Sequence, residues 1–172
     1  MMLKELTVVP GASLPVQALK DHLRLGTGFT EDGMQDGLIE AYLRAAMAAV
    51  EGRIGKVLLA RQYRLTVEDW RAAGEQPLPV APVSGIVSVT VVDAANVATV
   101  LAASRYRLVP DLHRPKLASV GVLLPTVPMD GRAEVVFDAG FGTGWGQVPA
   151  DLAQAVILLA AEYYEVRQVG EG

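Results

Sequence analysis

Apolar positions recur every three or four residues in the first third of the chain, alternate with polar ones in the middle, and return to helical spacing near the end. The first helical stretch is expected over about 14–25. There Val16, Leu19 and Leu23 form a stripe flanked by Leu14, Ala18 and Leu25, with Ser13 as N-cap and Pro15 in the first turn. Gly26-Thr27-Gly28 stops it. The second and longer helix is expected over about 32–54, capped by Thr30 or Asp32. Glu31, Asp32 and Asp36 place negative charge where the helix dipole favours it. Ile39, Leu43, Ala46, Val50 and Ile54 share one face, widened by Tyr42 and Met47. Glu40 and Arg44 are spaced to pair on the outer face. Ala45, Ala46, Ala48 and Ala49 leave room for a second helix, and Gly55 suits the residue just past the end.

Past Gly55 the period becomes two. Gln62–Val67 alternates and reads as a half-buried strand, Trp70–Val83 as a Pro- and Ala-rich loop, and Ile86–Val92 as a strand. Asp93–Asn96 reads as a turn and Val97–Leu101 as the returning strand of a hairpin. Further strands are expected at Tyr106–Val109, Val120–Leu124 and Ala133–Phe137, punctuated by Pro110, Pro115, Pro125 and Pro128. The last helix is expected over about 149–168, opened by Pro149 and Asp151. Leu152, Val156, Leu159, Tyr163 and Val166 make its stripe, and Ile157, Leu158 and Ala160 add apolar surface beside it. Helices and strands are segregated, which implies an α+β fold. The expectation is a helical bundle of two N-terminal helices plus a C-terminal helix, with an inserted, mainly antiparallel β-subdomain. One domain spans 1–172, with helical part 14–56, β-subdomain 62–137 and C-terminal helix 149–168.

Composition narrows the chemistry. A chain of 172 residues can bury a sizeable core without staples, and with no cysteine it has neither disulfides nor thiolate chemistry. A net charge of −4 argues against a general nucleic-acid binder. No apolar run approaches the roughly 20 residues of a membrane helix, and Met1–Glu5 is not expected to open a secretory leader. His22 and His113 are far apart, without partners at ligand spacing, and are expected to be structural or surface residues. Glu31, Asp32 and Asp36 do not fit a calcium loop and read as an acid-rich helix start. Gly140-Phe141-Gly142-Thr143-Gly144-Trp145-Gly146 lies between a strand and a helix, as phosphate loops do, but no Lys-Ser or Lys-Thr follows. The run reads instead as a hinge formed by Gly140, Gly142, Gly144 and Gly146. Arg53, Lys56, Arg61 and Arg64 gather after the second helix and read either as a solvated, dipole-complementing face or as a DNA-facing basic patch. No catalytic residue, metal ligand or cofactor is indicated.

The order of these stretches resembles the phage head–tail connector family, also called adaptor or head-completion proteins, including those of gene transfer agents. Leu38–Ala46 followed by Val50–Leu58 resembles the family's long helix and its glycine exit, and Gln62–Leu65 the strand after it. Leu78–Val83 with Ile86–Val89 resembles its proline-marked entry into the sheet, and Val135–Gly142 its closing strand and glycine turn. Val148–Val156 through Glu162–Glu165 resembles its final helix. The likeness covers about 14–167; the glycine run is richer, and the tail after Arg167 shorter, than the family pattern.

The resemblance implies a non-enzymatic virion protein at the head–tail junction, assembled in the host cytoplasm. It implies a ring of about twelve copies joining the portal protein to a tail-side connector (stopper), with DNA passing through its channel and no membrane partner. On this reading Tyr163, Tyr164, Val166 and Arg167 would contact the portal, since aromatic residues and Arg are enriched at interface hot spots. Arg53, Lys56, Arg61 and Arg64 would face the channel. The alternatives are another virion or interaction scaffold domain, and a small soluble enzyme with an unrecognised site.

Overall fold

The computed structural model describes residues 1–24 and 32–169, with three α-helices and eight strands among them. In chain order they are β1 (Met2–Glu5), α1 (Val16–His22), α2 (Asp32–Ile54), β2 (Arg61–Val67), β3 (Glu75–Pro77), β4 (Val83–Val92), β5 (Ala98–Val100), β6 (Tyr106–Val109), β7 (Lys116–Ser119), β8 (Arg132–Ala139) and α3 (Ala150–Val169). The fold is α+β, as the segregated pattern implied. The chain divides into two compact units: Met1–Val8 with Gly55–Gly140, and Val9–Ile54 with Phe141–Gly172.

The β unit holds a five-stranded sheet, in order β1-β2-β8-β4-β5, and a three-stranded sheet, in order β3-β7-β6. Every strand pair is antiparallel. In β8 the two-residue period is strict: Ala133, Val135, Phe137 and Ala139 are buried, and Arg132, Glu134, Val136 and Asp138 half-buried. In β2, Tyr63, Leu65 and Val67 point to the same core. The Tyr63 and Phe137 rings stack with centroids 6.0 Å apart. Pairing of β4 with β8 slips between Val83 and Gly85 and again between Ile86 and Ser88. These irregularities explain why alternation in β4 is broken and Val87 is exposed. Trp70 closes the core, its indole N–H donating to the Pro125 carbonyl at 2.8 Å.

Two expectations need correction here, and one strand went unread. The stretch 70–83 is not all loop: β3 lies in it, with Gln76 buried and its side-chain oxygen accepting from the Arg71 amide at 2.9 Å. The strand expected at Val120–Leu124 falls instead on Lys116–Ser119, whose Leu117 is fully buried. Val120–Leu124 turns at Gly121, in the left-handed region at φ 79°, and leaves Val122 and Leu123 exposed. β1 went unread because only Leu3 of its four residues is even half-buried.

In the helical unit α2 keeps its expected bounds, and Gly55 follows it at φ 65°. Ile39, Leu43, Ala46 and Met47 are buried, whereas the expected stripe fails at its end, where Ile54 is exposed. α1 is shorter than expected and starts after Pro15; Ser13 belongs to a preceding 3₁₀ turn and does not cap it. The stop at Gly26–Gly28 and the cap candidate Thr30 lie outside the described residues, and Asp32 is the first residue of the helix. Arg44 does pair with Glu40, at 2.7 and 2.9 Å, yet both are half-buried rather than outward. The same guanidinium donates to the Val9 carbonyl at 2.9 Å, fastening the approach to α1 onto α2.

Phe137→Ala is expected to lower unfolding free energy by about 3–5 kcal/mol, as buried aromatic truncations do. Val87→Ser, on the same sheet but exposed, is expected to stay within about 0.5 kcal/mol. Chemical denaturation of both variants checks the pair.

Candidate functional site

α3 was expected to carry a surface for a partner, so its faces decide what it can offer. Val156, Ile157, Ala160 and Ala161 are buried. The core face is therefore rotated from the one expected, with Ile157 and Ala160 inside and Val166 64% exposed. Small residues at 160 and 161, with Ala46 on α2, fit close helix packing. On the opposite face Asp151, Gln154, Leu158, Glu162 and Glu165 are exposed, at spacings of three or four residues.

The expected partner-contacting residues separate into two kinds. Tyr163 and Tyr164 are both half-buried, and the Tyr164 ring meets Tyr42 of α2 edge-to-face at 6.2 Å. Tyr164 therefore belongs to the helix packing rather than projecting freely. Val166 and Arg167 are exposed.

The glycines of the 140–146 run are not equivalent. Gly140 has φ 132°, and a Cβ there would lie 2.6 Å from the Ala60 backbone. Its amide donates to the Pro82 carbonyl at 2.9 Å. Gly142 leaves space that the Gln147 side chain fills, and the Gly144 amide donates to Gln147 Oε1 at 3.1 Å. Gly146 faces open space in the 3₁₀ turn Trp145–Gln147.

The basic residues also part company. Arg53 is exposed in the last turn of α2. Lys56 Nζ lies 3.1 Å from His113 Nδ1. His113 sits in a turn pinned by Asp111, whose carboxylate accepts from the Arg114 and His113 amides at 2.7 Å each. Those two bonds hold the Asp111 pKa below the usual carboxylate value. Arg64 lies 3.6 Å from Glu134, which also takes Arg132 at 2.7 Å. Arg61 is only 8% exposed. It donates to Glu5 at 3.1 Å and to the Leu59 carbonyl at 3.2 Å, and it lies 5.7 Å from the Tyr63 ring centroid. Its position inside the subunit does not suit the channel-facing role expected of it.

Little here resembles catalytic machinery. His22 and His113 are both exposed, and no cluster of metal-ligating side chains occurs among the described residues. Asp36 pairs with Lys20, and the Glu31 and Asp32 side chains lie outside the described set. An open hollow of about 610 Å³ beside Gly11, Pro15 and Gly37 has Asp36 and Glu40 as its charged lining, and both are already ion-paired.

No family model and no curated protein matches the chain. Solved structures do. A chain in the neck of an empty gene transfer agent particle, determined with C6 symmetry, is 52% identical with a TM-score of 0.90. One in the virion of a native gene transfer agent particle is 53% identical, TM-score 0.86. One in the neck of the native particle, determined with C12 symmetry, is 48% identical, TM-score 0.85. Each match covers 96% of this chain and 84% of the other.

Gly140→Ala is expected to cost about 1–3 kcal/mol through backbone strain and collision with Ala60. Gly146→Ala, facing open space, should stay within about 0.5 kcal/mol. Thermal melts of the two variants separate a required glycine from a tolerated one.

Proposed function

The chain belongs to the family of gene transfer agent neck proteins, the head–tail connectors that its sequence resembles, and from that membership we propose that it forms a ring joining portal to tail around the DNA path. As a member it is a structural component of the virion neck, not an enzyme. The observation that carries the ring is symmetry. A relative 48% identical sits in a neck determined with C12 symmetry, and another in one determined with C6 symmetry. A ring of twelve copies satisfies both symmetries; a ring of six cannot satisfy the first.

The portal contact falls to the end of α3, through Val166 and Arg167, with the half-buried Tyr163 and Tyr164 rings behind them. Reorientation of that helix draws on Gly142, Gly144 and Gly146, because Gly140 is held by close backbone packing. The side chains offered to the channel are Arg53, Lys56 and Arg64. On its other side the ring receives the tail-side connector. DNA passes without sequence-specific contacts, consistent with a net charge of −4.

Two measurements test this. Quantitative mass spectrometry of purified particles should give a copy number near that of the portal; a monomer or trimer per particle would refute the ring. Purified chain in dilute solution should scatter light as a monomer or a weak assembly, and an obligate dimer would count against it. For the portal contact, Val166→Asp with Arg167→Ala should weaken portal binding by about 2 kcal/mol or more while leaving the melt unchanged. Tyr164→Ala should lower the melting temperature as well, because it loses the Tyr42 contact.

A further inference from the structure

Among the described residues, two exposed arginines of the β unit lack a carboxylate partner, and three exposed carboxylates on one face of α3 lack a basic one. In the β unit, Glu5 is engaged by Arg61, Glu75 by Lys116, and Glu134 by Arg132 and Arg64. Asp93 and Asp111 accept from amides of their own turns. Arg105 and Arg107 meet no carboxylate among the described residues. Arg105 donates to the Leu123 carbonyl at 3.4 Å, and its own carbonyl accepts from the Val120 amide at 2.9 Å. These bonds bring the start of β6, an edge strand, against the turn that exposes Val120, Val122 and Leu123. The result is an apolar patch, with Val122 58% and Leu123 63% exposed, beside two arginines that lack a carboxylate partner.

α3 presents the complement. Asp151, Glu162 and Glu165 have no ion pair among the described residues, and Leu158, 51% exposed, sits between them on the same face. A stripe of this kind has the composition of a docking face: an apolar centre and charged ends that fix register.

We infer that the outward stripe of α3 in one copy docks on the Arg105–Leu123 surface of the next copy, and that this is the contact that closes the ring. The inference rests on the ring reading above. It selects a second copy as the occupant because both complementary faces lie on one chain. Two different faces on each subunit give a head-to-tail contact, which a closed ring requires. DNA does not suit the α3 face, since its phosphates would meet Asp151, Glu162 and Glu165.

Charge exchange tests the inference. Full-length variants replace the wild-type chain in producing cells, and the amount of chain per purified particle is measured against capsid protein. Glu162→Lys with Glu165→Lys should reduce incorporation by roughly tenfold or more, as juxtaposed like charges do. Arg105→Glu with Arg107→Glu should do the same. The quadruple variant restores opposite signs across the contact and should recover most of the loss. All the substituted side chains are exposed, and unchanged thermal melts confirm that each variant folds. Normal incorporation of either double variant overturns the proposal. So does a quadruple variant as defective as the doubles, which would mean that the two faces meet different partners, such as portal or DNA. The wild-type copy number in the same particles tests the ring separately: if it is not ring-like, the earlier reading fails whatever the exchange shows.

Discussion

The β unit depends on one late strand finding its slot. β8 lies between β2 and β4, pairing with the whole length of β2 from Arg61↔Ala139 to Val67↔Ala133, and with β4 on its other edge. Until residues 132–139 are in place, β2 and β4 have no common neighbour and the core around Phe137 is open. The segment between β4 and β8 spans about forty residues and carries β5, β6 and β7, so bringing β8 to β4 costs chain entropy that burial of Val135, Phe137 and their neighbours offsets. Gly140 then fixes where the chain leaves, because its amide bonds to Pro82 and a Cβ there would collide with the Ala60 backbone.

How much of this was legible depended on whether one face of an element is clearly wet and the other dry. β2 and β8 are read at nearly their observed bounds because their burial alternates without exception. α2 is read at its bounds because charged residues open it and a glycine closes it. β1 and β3 are short, and their stability comes from pairing with β2 and β7, which local pattern does not reveal. The misplacement of a strand onto Val120–Leu124 has a related cause: apolar residues there are exposed, so composition mimicked a strand where the backbone turns.

Side-chain roles were harder to read than elements, since residues close in sequence had different fates. Arg61 and Arg64 are three apart on one strand, yet Arg61 is locked against Glu5 and Tyr63 while Arg64 reaches Glu134 near the surface. Tyr163 and Tyr164 look alike in sequence, but only the packing of α2 against α3 gives Tyr164 a partner in Tyr42. The acidic face of α3 could be traced from helical spacing alone. Its counterpart around Arg105 could not, because it depends on the 120–124 turn folding back onto β6.

The side-by-side ends of the β unit have an evolutionary corollary. Arg61 pairs directly with Ala139, so the chain enters and leaves this unit at neighbouring points. A segment whose two ends coincide can be lengthened, trimmed or exchanged for another fold without altering the gap that joins the end of α2 to the start of α3. β1 alone is contributed from elsewhere in the chain, and it sits at the sheet's edge, where its loss would disturb little beyond β2. Such an arrangement lets the length and surface of this segment change while the link between α2 and α3 keeps the same span.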